Sequence, residues 1–261
     1  MAGRSVGGRC VTVEAVIAAL KLPTATRVDQ RVPKKLLLEK GAPTAADKRL
    51  INEGIEAIQW LAVLKPATCG VPEFRDDVRE YLEVAVLQLT LREKAKETRL
   101  IELLHRAVPY PVMLLVERES CLSISLAHKR QALKEADRVV LDDELVTERL
   151  PLAESSIRAV FLRALDIARQ PRASLYALYQ GWLDTAVALQ AALVTGTFTL
   201  LDSAERAQQR RQALHASLTL QGQIAGLRSA AAKASQMARQ VQLNLEIQRL
   251  QAELAAVRTQ L

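Results

Sequence analysis

The chain has 261 residues, of which 49 % are hydrophobic, 25 % are charged and only 3 % are aromatic, and its formal net charge is +7. This composition excludes a disordered chain, and a core so poor in aromatic residues relies on Leu, Val, Ile and Ala. No run of eighteen apolar residues occurs, and the three cysteines and three histidines are scattered along the chain. We therefore expect a cytoplasmic protein with no membrane span, disulfide framework, metal site or cofactor.

The first 64 residues predict two helices joined by an extended arm. Residues 12–20 have the apolar spacing of a short helix, which ends before Pro23. Residues 24–41 begin with polar side chains and predict an ordered, extended arm. Residues 44–64 predict a single long helix, because their apolar positions form one broad face and Pro66 follows directly.

The segment from residue 81 to residue 150 predicts a small mixed sheet covered by helices. Both faces of the stretch 81–92 are mostly apolar, which is typical of a buried central strand. A helix, a second strand and a third strand follow, and the link between the last two is short enough for a hairpin. These segments are 93–108, 112–117 and 120–128, and a fourth strand is expected at 139–141 or at 144–150. This order of elements indicates an α+β fold.

Beyond residue 150 the chain is predicted to be helical. Two helices, at 153–170 and 174–195, form a connector, and residues 203–261 predict a long rod with coiled-coil spacing. We therefore expect a mixed α/β domain at 1–150, a helical connector at 151–200 and a coiled-coil-like C-terminal part at 201–261. The positive charge is concentrated in this last part, because residues 203–261 contain eight Arg and Lys residues against three Glu.

Two series of apolar residues, spaced alternately by four and three positions, follow this rod. The first series is Leu220, Ile224, Leu227, Ala231, Ala234, Ala238 and Val241, and the second is Leu243, Ile247, Leu250, Leu254, Val257 and Leu261. The step of two residues between the series turns a helix by about 200°. In phase, the first series would instead continue from Leu245 through Gln248, Ala252 and Ala255. The two seams therefore face different directions, and we expect a rod with two faces or two partners.

The larger side chains of the two seams are the predicted partner-binding residues. They are Leu220, Ile224, Leu227, Val241, Leu243, Ile247, Leu250, Leu254, Val257 and Leu261. Apolar heptad positions of this kind pack on another helix, which can belong to a second copy of the chain or to a different protein.

Catalytic motifs are absent from the linear sequence. A metal-dependent nuclease needs clustered carboxylates, typically with a lysine two positions after a strand glutamate, and the candidates here are Asp76, Asp77 and Glu83. Glu83 is followed by Val84 and Ala85, so this spacing fails. No phosphate-binding glycine motif occurs either. We do not expect an enzyme. Catalytic residues that only the fold brings together would leave no motif in the linear sequence.

The extended arm holds four basic residues, Arg27, Arg31, Lys34 and Lys35. They are suited to contact a nucleic-acid backbone through charge, without reading its sequence. The alternative interpretation is a solvated basic loop.

Three stretches of the chain resemble domain-of-unknown-function family 4391 of bacteria. The first runs from Leu22-Pro23 through Val32-Pro33-Lys34-Lys35 to Leu64-Lys65-Pro66, the second is Val108-Pro109-Tyr110-Pro111-Val112-Met113-Leu114, and the third is the stretch 236–244 that leads into the leucine heptads. The resemblance covers essentially the whole chain. It carries no catalytic residue, because the family has no established activity.

The resemblance implies a genomic setting beside DNA methyltransferases and helicases of restriction or phage-defence type. We therefore expect a non-catalytic accessory or adaptor subunit that binds a methyltransferase or helicase through its C-terminal helices. A metal-dependent nuclease and a DNA-binding protein that uses the basic arm remain as alternatives.

Overall fold

A central sheet forms the core of the N-terminal part of the chain. The computed structural model describes residues 11–119, 121–132, 135–142, 145–150 and 155–261. Within these residues the sheet has six strands in the order β1-β2-β5-β6-β7-β10. Their bounds are β1 (Arg27–Arg31), β2 (Ile55–Leu64), β5 (Val84–Leu91), β6 (Val112–Arg118), β7 (Cys121–Leu126) and β10 (Val146–Arg149).

Parallel and antiparallel pairing coexist in this sheet. Strands β5 and β6 are parallel and are connected through helix α5 (Glu97–Ala107), whereas the other neighbours pair antiparallel. Two small antiparallel pairs stand apart from it, β3 (Phe74–Arg75) with β4 (Glu80–Tyr81) and β8 (Lys129–Ala132) with β9 (Glu135–Leu141). The predicted α+β fold with a mixed sheet is thus confirmed.

Helices account for the rest of the regular structure. Their bounds are α1 (Val13–Leu20), α2 (Lys34–Lys40), α3 (Ala45–Gly54), α4 (Pro66–Cys69), α6 (Ser156–Ala164), α7 (Leu175–Thr195), α8 (Ala204–Lys233) and α9 (Met237–Arg258). No described helix is long and apolar enough to cross a membrane.

One face of the sheet packs against α2, α3 and α5. Alternate residues of β5 and β6, including Leu87, Leu89 and Leu114, form a cluster with Leu100 and Leu104 of α5. The opposite face of the sheet is also shielded from solvent near the start of β5, where Val84 and Val86 are fully buried. Strand β5 is therefore central and buried, as its apolar composition predicts.

The prediction of one helix over residues 44–64 is wrong in its second half. Helix α3 ends at Gly54, and β2 follows at once and pairs with strands on both sides. A Cβ at residue 54 would lie 2.7 Å from Cδ1 of Leu100, so glycine lets α3 approach α5 closely. Ile55, Ile58 and Val63 are β-branched and favour the strand that the two neighbouring strands complete.

The prediction of an extended arm over residues 24–41 is correct only in its first part. Strand β1 is extended, but Pro33 caps helix α2, in which Leu37 is buried. Both candidates for the fourth strand exist, since residues 139–141 belong to β9 and residues 146–149 form β10. The predicted helix at 153–170 is α6 followed by a short 3₁₀ turn, and residues 151–154 lie outside the described part.

The C-terminal rod is two helices. Residues 234–236 separate α8 from α9, and the two helices pack on each other as an antiparallel hairpin. The chain divides into two compact units, residues 1–186 and 187–261, and the boundary falls inside α7.

Candidate functional site

The inner seam of the hairpin joins the part of the first apolar series that lies on α8 to the second series, on α9. Leu220 and Ile224 of α8 pack with Ile247, Leu250 and Leu254 of α9, all less than 10 % exposed. Leu227 and Val257 extend the same cluster, and Leu243 is buried as well. This seam holds the two helices together.

The structure thus turns most of the predicted partner-binding residues towards each other. Ala234 and Gln236 have extended backbone angles, and this break reverses the chain. Two seams that would diverge on a straight helix therefore meet across a hairpin. Of the ten predicted residues, Val241 stays 52 % exposed and Leu261 is half-buried. Contact of the ten with another chain remains a prediction, and the inner seam is already closed within this chain.

Helix α9 carries a second, outer face. Val241 and Leu245, which are 52 % and 62 % exposed, continue at heptad spacing through Gln248, Ala252 and Ala255. The centre of this stripe lies about 160° around the helix from the centre of the stripe that contains Leu243 and its seam partners. Met237, at 77 % exposure, adds a further apolar side chain near the start of the helix. This face is unpartnered in the described structure.

Helix α8 also has an exposed face away from the inner seam. Leu218 is 59 % exposed, and Gly222, Ala225 and Ser229 follow it at heptad spacing. Apart from its chain neighbours and the backbone of its own helix, no heavy atom of the described residues lies within 4 Å of a Cβ placed on Gly222. Small side chains around one leucine allow a neighbouring helix to come close to the backbone.

Three of the four predicted nucleic-acid residues lie at the surface. Arg27 and Arg31 are exposed on β1, which is an edge strand of the sheet. The side chain of Lys35 is 82 % exposed and its Nζ lies 3.7 Å from Glu39. Lys34 differs, because its Nζ donates to the backbone oxygen of Ile55. Burial, followed by the nearby guanidinium groups, lowers the pKa of Lys34.

The acidic nuclease candidates have structural partners. Asp76 accepts hydrogen bonds from the backbone N–H of Val78 and Arg79, which lower the pKa of its carboxyl group. Glu83 lies 3.0 Å from Nζ of Lys65. Among the described residues, no group of three or more His, Cys, Asp or Glu side chains could hold a metal ion. The structure gives the nuclease alternative no metal centre in its described part.

A cluster of aromatic side chains around the buried His128 was not predicted from the sequence. The hydroxyl of Tyr81 lies 2.5 Å from Nδ1 of His128, and Nε2 lies 2.8 Å from Oε1 of Gln180. The amide nitrogen of Gln180 donates to Asp184, so its oxygen faces the ring and Nε2 is the donor. Tyr176 and Tyr179 of α7 pack on the same imidazole.

This cluster joins segments that are far apart in sequence. Tyr81 ends β4, His128 precedes β8, and the two tyrosines lie three residues apart on α7. The Tyr176–Tyr179 spacing is the one local signal, because it places both rings on the same side of a helix. Tyr81 and His128 are almost fully buried. The cluster therefore ties the elements together around a buried imidazole, with Tyr176 and Gln180 partly exposed at its edge.

A serine–histidine pair is also enclosed in the N-terminal unit. Nε2 of His105 lies 3.1 Å from Oγ of Ser125, which accepts a hydrogen bond from Thr147. Both residues of the pair are fully buried, and Nδ1 of His105 has no hydrogen-bond partner among the described residues. Burial lowers the pKa of His105 to about 3. The pair lacks the geometry of a nucleophilic site, because it is closed to a substrate and, in the part of the chain that the structure describes, no carboxylate contacts the histidine.

Comparison with protein families agrees with the resemblance. The family model described as Domain of unknown function (DUF4391) matches residues 20–254. The chain belongs to this family. No curated protein and no solved structure matches the chain. Family membership covers the sheet and nearly all of the hairpin, and it supplies no residue roles.

Proposed function

We propose that this chain is a non-catalytic adaptor subunit that binds protein partners through its C-terminal hairpin. The observation that carries the proposal is the pair of exposed faces at heptad spacing, one around Leu218 on α8 and one around Val241 and Leu245 on α9. Apolar positions repeated at heptad spacing along an exposed helix are typical of a surface that packs on another helix. The buried inner seam keeps both faces on a preformed scaffold.

The proposed partners are DNA methyltransferase or helicase subunits of a cytoplasmic DNA-modification or phage-defence complex. The genomic setting implied by the family resemblance supports this class of partner. The face around Leu218 suits a partner helix, because Gly222 and Ala225 beside it leave room for close packing.

The experiment is co-expression of the full chain with a methyltransferase or helicase subunit of the proposed class, followed by native mass spectrometry. Leu218→Glu places a charge on the proposed contact, and the complex is expected to be lost. Leu36→Glu, at a leucine that is 48 % exposed on α2, is the matched control and is expected to leave it intact. Equal amounts of complex with both variants would contradict the proposal.

A second candidate function is nucleic-acid binding at the edge of the sheet. The observation in its favour is the exposure of Arg27 and Arg31 on the edge strand β1. Phosphate contacts of this kind weaken steeply as salt rises. Fluorescence anisotropy with duplex DNA is expected to show salt-sensitive binding that Arg31→Glu reduces and Arg49→Glu, on the exposed surface of α3, leaves unchanged. Absent or salt-insensitive binding would exclude this function.

A further inference from the structure

A cavity of about 150 Å³ lies between the end of helix α1 and strands β1 and β2, all in the N-terminal unit. Its apolar wall is formed by Ile17 of α1, by Leu22, and by Leu61 and Ala62 of β2. Leu61 and Ala62 are 9 % and 2 % exposed, so this wall belongs to the folded core. A cavity of this size accommodates an apolar group of about six carbon atoms.

Three charged side chains line the rim of this cavity, and they are Lys21, Arg27 and Asp29. The charge of Lys21 is already neutralised, because its Nζ donates to Asp166 at 2.8 Å. This hydrogen bond lowers the pKa of the Asp166 carboxyl group, which keeps the pair ionised. Arg27 and Asp29 are exposed, and their side chains form no ion pair or hydrogen bond among the described residues. The rim therefore offers one guanidinium and one carboxylate to a ligand.

Strand pairing is irregular beside the cavity. Between residues 27 and 30, strand β1 has one residue more than β2, so two of its residues oppose Leu61 alone. The register between β2 and β5 also shifts at Leu61. Among the described residues, three other than glycine have a positive φ, and two of them, Lys21 and Asp29, line this cavity. Bulges and left-handed residues concentrate at binding sites, where they aim side chains that a regular strand would place elsewhere.

The chemistry of the cavity fits a ligand that carries both charges next to an apolar group. A guanidinium holds a carboxylate through two parallel hydrogen bonds, and a carboxylate accepts hydrogen bonds from an ammonium group. Arg27 and Asp29 lie two positions apart at the same rim, so one small molecule reaches both. A zwitterion compensates both charges, whereas a simple anion would be repelled by Asp29.

We propose that this cavity binds a free α-amino acid with an aliphatic or phenyl side chain. Arg27 holds the carboxylate of the ligand, Asp29 holds its ammonium group, and its side chain packs on the apolar wall. The inference goes beyond the adaptor function and does not rest on it. The cavity belongs to the N-terminal unit, whereas the exposed faces around Leu218 and Leu245 belong to the other unit.

The first test is isothermal titration calorimetry of the full chain with leucine and with three analogues that each lack one feature. N-acetylleucine lacks the ammonium charge, isoamylamine lacks the carboxylate, and glycine lacks the apolar side chain. Leucine is expected to bind saturably at one site, and each analogue is expected to bind at least about tenfold more weakly. No saturable binding of leucine or phenylalanine up to about 10 mM, or equal binding of leucine and N-acetylleucine, would overturn the proposal.

The second test locates the site on the chain. Arg27→Gln removes the guanidinium, and Asp29→Asn removes the carboxylate while keeping a residue type that tolerates the left-handed backbone. Each variant is expected to weaken leucine binding at least about tenfold, and Asp29→Asn is expected also to remove the preference for leucine over N-acetylleucine. Arg31→Gln, on the same strand and outside the cavity, is the matched control and is expected to leave binding unchanged. Equal affinities of the Arg27→Gln and Arg31→Gln variants would overturn the site.

Discussion

Lys129 carries a buried amine in the N-terminal unit that backbone oxygens hold in place. Its Nζ donates to the carbonyl oxygens of Val108 and Tyr110, at 2.5 and 2.6 Å, and the residue is 3 % exposed. Burial lowers the pKa of this amine to about 7. In an unfolded chain the same amine titrates near 10.4. At a pH between these two pKa values, the unfolded state therefore keeps the proton and the folded state releases it.

This difference predicts a pH dependence of stability. Below pH 7 the amine is protonated in both states, and from pH 7 towards pH 10 the folded state loses the proton first, so the free energy of unfolding rises with pH. We expect the stability of the wild type relative to Lys129→Met to increase from pH 7 to pH 9 in urea unfolding. The exposed-site variant Lys35→Met is the control. A difference that stays constant with pH would contradict the buried position of Lys129.

Replacing glycine by alanine is expected to change stability in opposite directions at two helix positions. At Gly226 of α8 a Cβ would meet nothing within 4 Å, so Gly226→Ala is expected to stabilise the chain by about 0.5–1 kcal/mol through helix propensity. At Gly181 of α7 a Cβ would lie 2.6 Å from Oε1 of Gln170 and 2.7 Å from Cδ of Pro171. Gly181→Ala is therefore expected to destabilise by about 1–3 kcal/mol. Thermal unfolding of both variants measures the two changes in stability. A change in the same direction for both would contradict the prediction.

Some residue-scale features were readable from the sequence and others were not. The hydroxyl of Thr12 accepts a hydrogen bond from the backbone N–H of Ala15, and Thr44 caps α3 in the same way, because these interactions are local. The contact of Tyr81 with His128 joins positions 47 residues apart. A linear pattern holds no information on such a pair.

At the scale of single elements, the stretch from residue 55 to residue 64 shows where a sequence pattern is ambiguous. Its apolar residues fit a helical face, yet they form the strand next to the central one. Hydrogen bonds from β1 and β5 decide between the two, and neither strand is adjacent to it in sequence. The central strand β5 was predictable because both of its faces are apolar.

The phase step inside the rod was also readable, whereas the reversal at residues 234–236 was not. Alanine, serine and glutamine at the turn are ordinary helix residues, without proline or glycine to mark a break. The hairpin forms because Leu220 and Ile224 leave water when they pack against Ile247 and Leu250, and burial of these apolar side chains is favourable.

The two faces of α9 predict different costs for the same substitution. Leu250→Ala removes a buried side chain from the inner seam and is expected to destabilise the hairpin by about 2 kcal/mol. Leu245→Ala, on the exposed outer face, is expected to change stability by less than about 0.5 kcal/mol in dilute protein. Urea unfolding followed by circular dichroism measures both. Equal losses would mean that α9 packs on α8 through a different face.

On the scale of the whole molecule, the two units differ in how they use their side chains in the described part of the chain. The N-terminal unit encloses its polar side chains, such as His105 and His128, in structural contacts. The C-terminal unit closes one apolar seam and leaves two heptad faces in water. In the proposed adaptor function, the sheet is the stable body and the hairpin is the docking element.

Hydrogen–deuterium exchange of the full chain, alone and with a proposed methyltransferase or helicase partner, tests this central claim most directly. The account predicts that the partner slows exchange at amides of α8 around Leu218 and leaves β1 and α2 unchanged. Protection confined to the sheet unit, with no change in either hairpin helix, would contradict it.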